Sequence, residues 1–394
     1  MRSLIRNIVA AAAITVAAVP ATVLADDDDS SLHRDQYVVT PLVSNLADKA
    51  ATQDPVLQDA WGIAFTPAGS PYWVNDNQTG CSTLYLGNGT KIGLQVSIPL
   101  PGNVIAAGSC HAVDPRNPPN PAPAAPTGII WNPSASFLVP GTTIPAVFIF
   151  DTEDGTLSAW AGGLTPATNA VLAVDNSMTP SAAAGAVYKG LVFGLSAKGG
   201  LLYATNFRGG TVDVFGPSAS GGLYTPVTTD GGFVDPQMPS DYAPFGIANI
   251  DGDLFVSYAK QNSAKHDDVA GLGHGFVDVF DTDGHLLRRF ASRGTLDSPW
   301  GMTRASFAFG RFSGKILIGN FGNGHISVFD NDGRFIEELN DAHDRPIAID
   351  GLWDLTLGGG GSSSSDTLYF SAGPNGETNG LFGTITPAPI PSGY

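Results

Sequence analysis

Charge is scarce in this sequence. Only 14% of the 394 residues are charged, and bases are the rarer sign, 19 against 36 acids, for a formal charge of −17. That balance repels nucleic acid and anionic membranes, so neither is expected as a partner. With 43% hydrophobic residues, the shortage of charge also argues against a disordered chain or a coiled coil. Long apolar runs are missing beyond the first 25 residues, so no membrane span is expected in the mature chain. Signature motifs are missing as well. There is no G-x-S-x-G elbow, no H-E-x-x-H, no C-x-x-C and no phosphate-binding G-x-x-x-x-G-K-[ST]. A serine hydrolase, a zincin, a thioredoxin-like enzyme and a P-loop NTPase are therefore unsupported. Cysteine is limited to Cys81 and Cys110.

Turn formers are abundant: 49 glycines and 29 prolines. Neither residue suits the interior of a long helix, so the expected class is all-β with many connections. Residues 1–25, MRSLIRNIVAAAAITVAAVPATVLA, carry two arginines, a short apolar stretch broken by Pro20, and small residues before Asp26. This is the layout of a secretory signal, and cleavage is expected after Ala25. Residues 26–36, opening with four aspartates, read as an acidic flexible tail. Residues 37–387 read as one folded unit and 388–394 as a Pro-rich tail. A secreted or periplasmic location follows as an expectation, and an oxidising compartment favours a Cys81–Cys110 disulfide. Closing that loop would stabilise by roughly 3–4 kcal/mol on the chain-entropy model.

One unit recurs six times, about 50–65 residues apart. Each opens with an aromatic or small residue near a glycine: AWGIAF, PTGIIW, YKGLVFGL, APFGIANI, SPWGM and DGLWDLTL. A second apolar strand ends in polar residues: YWVNDN, VFIFDTED, LYATNF, LFVSYAKQN, ILIGNF and LYFSAGPN. A third alternates, as in GTVDVF, GFVDVF and GHISVF. Period-2 alternation and enrichment in Val, Ile, Phe and Tyr make these strands. The runs DTDG (281–284) and DNDG (330–333) read as hairpin turns. Six four-stranded units predict a six-bladed β-propeller. The sixth unit shows three strands only, so YVVTPLVSN (37–45) is expected to complete it and close the ring.

FIFDTEDGTLSAW, LYATNFRGGTVDVF, KHDDVAGLGHGFVDVF, SPWGM and IDGLWDLTL together resemble the NHL and gluconolactonase-type six-bladed propellers. Within that group the chain is most similar to a family of uncharacterised secreted bacterial propellers. The resemblance implies the fold but no particular reaction. The wider group holds lactonases, lyases, amidating enzymes and pure binding modules, and the gluconolactonase-type Glu/Asn/Asp set does not align here.

Antiparallel geometry brings every opening and every second-strand tip to one rim around the axis. The openings contribute Trp61, Lys189, Phe245, Trp300 and Trp353, and the tips Asn75, Asn206, Gln261 and Asn320 as ligand-binding candidates. Asp76, Asp151, Glu153 and Asp154 form an acidic set suited to a divalent cation, with calcium preferred. For each polar tip the competing role is to cap its strand end. The longest tip loop, AKQNSAKHDDVAGLGH (259–274), places Lys260, His266, Asp267 and Asp268 on the same face. A histidine beside carboxylates serves as base or metal ligand; alternatively the loop is merely solvated. Two functions follow. One is a metal-assisted hydrolase or lyase acting on a small polar substrate. The other is a non-catalytic module whose tryptophans stack on a small molecule, a glycan or a protein ligand.

Overall fold

The computed structural model describes residues 36–360 and 363–389. The signal reading, nearly all of the acidic tail and most of the C-terminal tail lie outside the described residues. The chain folds as a six-bladed β-propeller, with no α-helix among the described residues. Blade 1 comprises Ala60–Ala64, Tyr72–Asp76, Cys81–Tyr85 and Lys91–Ser97, counted outward from the axis. Blade 2 comprises Pro126–Trp131, Phe148–Thr152, Thr156–Trp160 and Val171–Asp175. Blade 3 comprises Tyr188–Ser196, Gly199–Asn206, Thr211–Gly216 and Thr225–Pro226. Blade 4 comprises Tyr242–Ile250, Asp253–Lys260, Gly275–Phe280 and Leu286–Ser292, and blade 5 Pro299–Arg304, Ile316–Asn320, Ile326–Phe329 and Phe335–Glu338.

Blade 6 closes the ring. Its inner strands are Leu352–Leu357, Leu368–Ala372 and Leu381–Pro387, and its fourth is the chain start, Tyr37–Ser44. The closing pair is antiparallel, running from Tyr37 opposite Pro387 to Ser44 opposite Leu381. A two-residue strand, Thr52–Gln53, continues the sheet in parallel. The edge that three strands alone would expose is thus covered.

The apolar core is divided into wedges between neighbouring blades. Trp73, Leu84, Phe148, Phe150 and Trp160 pack blade 1 on blade 2. Leu317, Val328, Leu355 and Phe370 pack blade 5 on blade 6. Alternation along each strand supplies one apolar face to each wedge, as period 2 requires.

The repeated glycine is set by the approach of successive inner strands. A Cβ on Gly62 would lie 2.6 Å from Thr127 O, on Gly128 2.5 Å from Leu191 N, on Gly246 2.2 Å from Trp300 O and on Gly301 2.5 Å from Trp353 O. Asp354 stands at this position in blade 6. Its Oδ2 accepts the Ile63 amide at 2.8 Å, so a side chain bridges the last seam where glycine closes the others. On the outside, Cys81 and Cys110 form a disulfide, their Cα atoms 4.9 Å apart.

Candidate functional site

The polar strand tips are spent largely on the scaffold. At the fourth position of the second strand, Asn75 Nδ2 donates to Thr127 O and Gly128 O, at 3.1 and 3.0 Å. Thr205 donates to Phe245 O at 2.7 Å, Ser257 to Pro299 O at 2.6 Å, and Ser371 to Trp61 O. Each bond reaches the inner strand of the next blade. Blade 5 has Gly319 here, its would-be Cβ 3.1 Å from Leu352 and Leu355 side chains. Asn206 and Asn320 also serve local backbone: Asn206 Oδ1 accepts from Gly209 N at 2.9 Å, and Asn320 Oδ1 from Asp297 N at 3.0 Å.

The four acids expected to hold a cation do not converge. Asp151 Oδ1 accepts from the Thr127 hydroxyl and the Gly128 amide. Asp76 meets Thr83, and Asp154 accepts the Ala125 amide. Of the four, Glu153 alone pairs with Lys189 among the described residues. Asp76 and Asp151 are fully buried, each with one oxygen lacking a partner. Burial pushes the Asp151 carboxyl up to about 7, and Asp76 well above its ordinary range.

The aromatic openings also differ from expectation. Trp61 and Trp353 stack at 3.4 Å between ring centroids, Phe321 stacks on the other face of Trp353 at 4.0 Å, and Trp300 meets Trp61 edge-on at 5.9 Å. Phe245 and Phe207 complete the cluster. Rings from blades 1, 4, 5 and 6 can touch only at the axis, so they plug the channel. Trp61 and Trp353 are each only 1% exposed. Stacking on a ligand requires a free ring face, and these faces are taken by one another.

A compact ionisable cluster sits on this plug. Asp59 accepts both indole N–H groups, from Trp61 at 2.8 Å and Trp353 at 3.1 Å. Lys189 is 3% exposed, its Nζ 5.2 Å from the Trp61 ring centroid, and its carbonyl accepts the Trp300 indole N–H. The ammonium is paired with Glu153 and lies 3.8 Å from Asp267. Asn77 donates to the other Glu153 oxygen at 3.0 Å. In the blade-4 loop, His266 Nδ1 lies 2.6 Å from Asp267 Oδ1, and Asp268 accepts from Ser298. The loop candidates therefore divide. His266, Asp267 and Asp268 reach the cluster. Lys260 instead pairs with Asp241 at 3.5 Å, and Gln261 donates to Phe207 O.

Electrostatics separate these groups. Burial lowers the Lys189 pKa, but pairing with Glu153 outweighs it and holds the ammonium above its ordinary value. Burial, opposed by Lys189 and reinforced by Glu153, brings Glu377 up to about 7. Burial and Glu377 hold Asp59 well above the carboxylate range. Hydrogen bonding to His266 holds Asp267 below it. The mouth thus joins a fixed cation, an ionised acid and an acid that titrates near neutrality. A surface groove of about 640 Å³ lies elsewhere, beside Tyr37, Asp341 and Arg345. Its Asp341 is already tied to Arg345 at 2.7 Å, and no comparable set of groups converges there.

No family model matches the chain. Two uncharacterized proteins of Acanthamoeba polyphaga mimivirus are each 30% identical to it. One aligns over 353 residues, 89% of this chain and 80% of its own length; the other over 352 residues, 89% and 85%. The chain belongs to the family of these viral proteins. These relatives are viral and uncharacterized, and they do not support the bacterial, secreted family expected from the motifs. Among solved structures, a gluconolactonase from Xanthomonas campestris superposes with a TM-score of 0.45 at 13% identity, covering 84% of this chain and 86% of that one. Virginiamycin B lyase from Staphylococcus aureus gives 0.43 at 12% identity, covering 89% and 99%. At this distance neither assigns a reaction.

Asp59 and Glu377 are site residues just outside the strand pattern, and Asn77 closes the YWVNDN tip without being marked among the candidates. Asp59 stands just before the AWG opening, and Glu377 follows the last tip in GPNGET. Both have positive φ, 53° and 64°, which turns the chain at the rim. Extending each opening backward and each tip forward by a residue or two would have included them.

Proposed function

We propose that the channel mouth is the reaction centre of a hydrolase or lyase acting on a small polar substrate. The observation that carries this reading is the buried Lys189, paired with Glu153 beside the His266–Asp267 pair and an acid titrating near 7. Perturbed ionisable groups of unlike affinity concentrate at reaction centres. Lys189 would stabilise a developing oxyanion. Glu377 would donate or accept a proton at neutral pH, and His266, oriented by Asp267, would exchange protons with solvent. Both cysteines are joined to each other, and no serine hydroxyl is bonded to a histidine ring among the described residues; His111 meets only the Ser109 carbonyl. We read the equipment as suited to addition of water to a carbonyl, or elimination beside one. The disulfide is consistent with export, and we propose a secreted or periplasmic location.

A second reading has its own support. Ligand atoms of Glu153, His266 and Asp267 lie within 4.8 Å of one another, a spacing that fits one metal ion. A nitrogen among the donors favours zinc or another transition metal over calcium, which takes oxygen ligands. Such an ion would polarise a carbonyl and displace Lys189 from Glu153.

The test is a panel of lactones and esters, assayed with wild type, Lys189→Met and Glu377→Gln, with and without chelator. Under the first reading both variants lose at least about 100-fold in kcat/KM and chelator has no effect. Under the second, chelator abolishes activity and Lys189→Met still binds the ion. Full activity in both variants would reject the mouth as the reaction centre.

A further inference from the structure

A second groove lies one residue along the chain from the mouth at two places. Phe207, whose ring centroid is 6.0 Å from the Lys189 ammonium, is followed by Arg208, and His266 is preceded by Lys265. Arg208 and Lys265 both line a groove of about 560 Å³ with Asn176, Thr179, Asp213 and Ser263. A volume of this size suits a small-molecule ligand. Two lining residues of the groove, Arg208 and Lys265, are thus direct chain neighbours of two residues at the mouth, Phe207 and His266.

Its charge is unusual for this chain. Acids outnumber bases 36 to 19, and most described bases have a carboxylate partner, as Lys91, Lys189, Lys260, Arg289 and Arg345 do. Arg208 and Lys265 have none within 4.0 Å among the described residues. Arg208 gives one N–H to Gly185 O at 3.1 Å, leaving most of its donor fork for a ligand. The one carboxylate on the wall, Asp213, already accepts from Tyr188, Asn206 and Thr211, at 3.0, 3.0 and 2.8 Å. Its oxygens are committed to the protein, and it forms no ion pair with either cation. The hydroxyls of Thr179 and Ser263 add donors and acceptors to the same groove.

We propose that this groove binds the anionic, hydroxyl-rich part of the substrate. The substrate class is then a polyol bearing a carboxylate or sulfate, as in an acidic sugar, rather than a neutral or cationic molecule. This rests on the reading of the mouth as a reaction centre. Arg208 and Lys265 supply charge-assisted bonds to the anion, while the hydroxyls read the polyol. In a chain of net charge −17 an anion gains little from long-range steering, so local cations have to supply its attraction.

Calorimetric titration tests this with three probes of equal length: trigalacturonate, a sulfated trisaccharide and maltotriose. At least one acidic probe should bind roughly tenfold or more tighter than maltotriose, with affinity falling as salt rises. The acidic probe that binds identifies the anion. The Arg208→Gln/Lys265→Gln double variant, at one half-buried and one exposed side chain, should lose that preference, whereas Glu377→Gln should retain binding. Equal binding of maltotriose, no binding of either acidic probe at millimolar concentration, or unchanged affinity in the double variant would overturn the proposal. Glu377→Gln also separates the two readings. If it binds the acidic probe yet leaves turnover on the lactone and ester panel unchanged, the mouth reading fails and the groove stands.

Discussion

Asp151 provides a sharp test of structural against metal-binding use of the polar tips. Its carboxyl is fully buried, its second oxygen has no partner, and burial raises it from an ordinary 3.8 to about 7. A carboxyl raised on folding contributes stability fully below its unfolded pKa, and that contribution is lost as pH rises through the folded value. Over the whole window the loss is about 4 kcal/mol, at about 1.4 kcal/mol per pH unit. Asp151→Asn removes this dependence while keeping the shape. Asn75, at the same position of blade 1, shows that the amide can donate to carbonyls of the next blade. Between pH 5 and pH 8 the stability of the variant relative to wild type should therefore grow by roughly 3 kcal/mol. Urea unfolding at several pH values measures it. A difference that stays flat with pH would refute the buried, protonated carboxyl. A wild type stabilised by added divalent ion, with the effect lost in the variant, would restore Asp151 as a ligand.

Three further outcomes follow from the fold. Gly246→Ala should destabilise by about 3 kcal/mol or more, because its Cβ would lie 2.2 Å from Trp300 O; thermal unfolding reads this directly. Replacing Cys81 and Cys110 together by Ser should cost roughly 3–4 kcal/mol for the 29-residue loop, seen in denaturant titration. Trp353→Ala should cost about 3–5 kcal/mol by leaving a cavity in the plug, and differential scanning calorimetry should show the lowered Tm even without ligand.

Strand chemistry was readable along the chain because its causes are local. Alternation in LYATNF or GFVDVF declares a strand whatever surrounds it. The regular recurrence of such strands declares blades, and the missing strand of the last blade points to Tyr37–Ser44 as its completion. The polar tips were harder. Asn75, Thr205 and Ser257 look like a ring of ligand groups until the neighbouring inner strand is seen to receive them. The tryptophans were ambiguous for a related reason. An aromatic at a propeller opening is placed near the axis by topology, but whether its face is free depends on rings from blades far apart in sequence.

The sequence by itself determined the blade number, the closing strand, the cysteine pair and the rim where ionisable groups gather. Period and turn chemistry act within a few residues, and ring closure follows from counting strands. Only the tertiary structure decided which rim groups face one another. Lys189 meets Glu153, and Asp59 meets two indoles, across blades separated by up to 294 residues. The same packing turned Asp76 and Asp151 into the scaffold and left His266, Asp267 and Glu377 at the mouth. Burial and pairing are properties of the assembled ring, and they decide which of many similar carboxylates carries a proton at neutral pH.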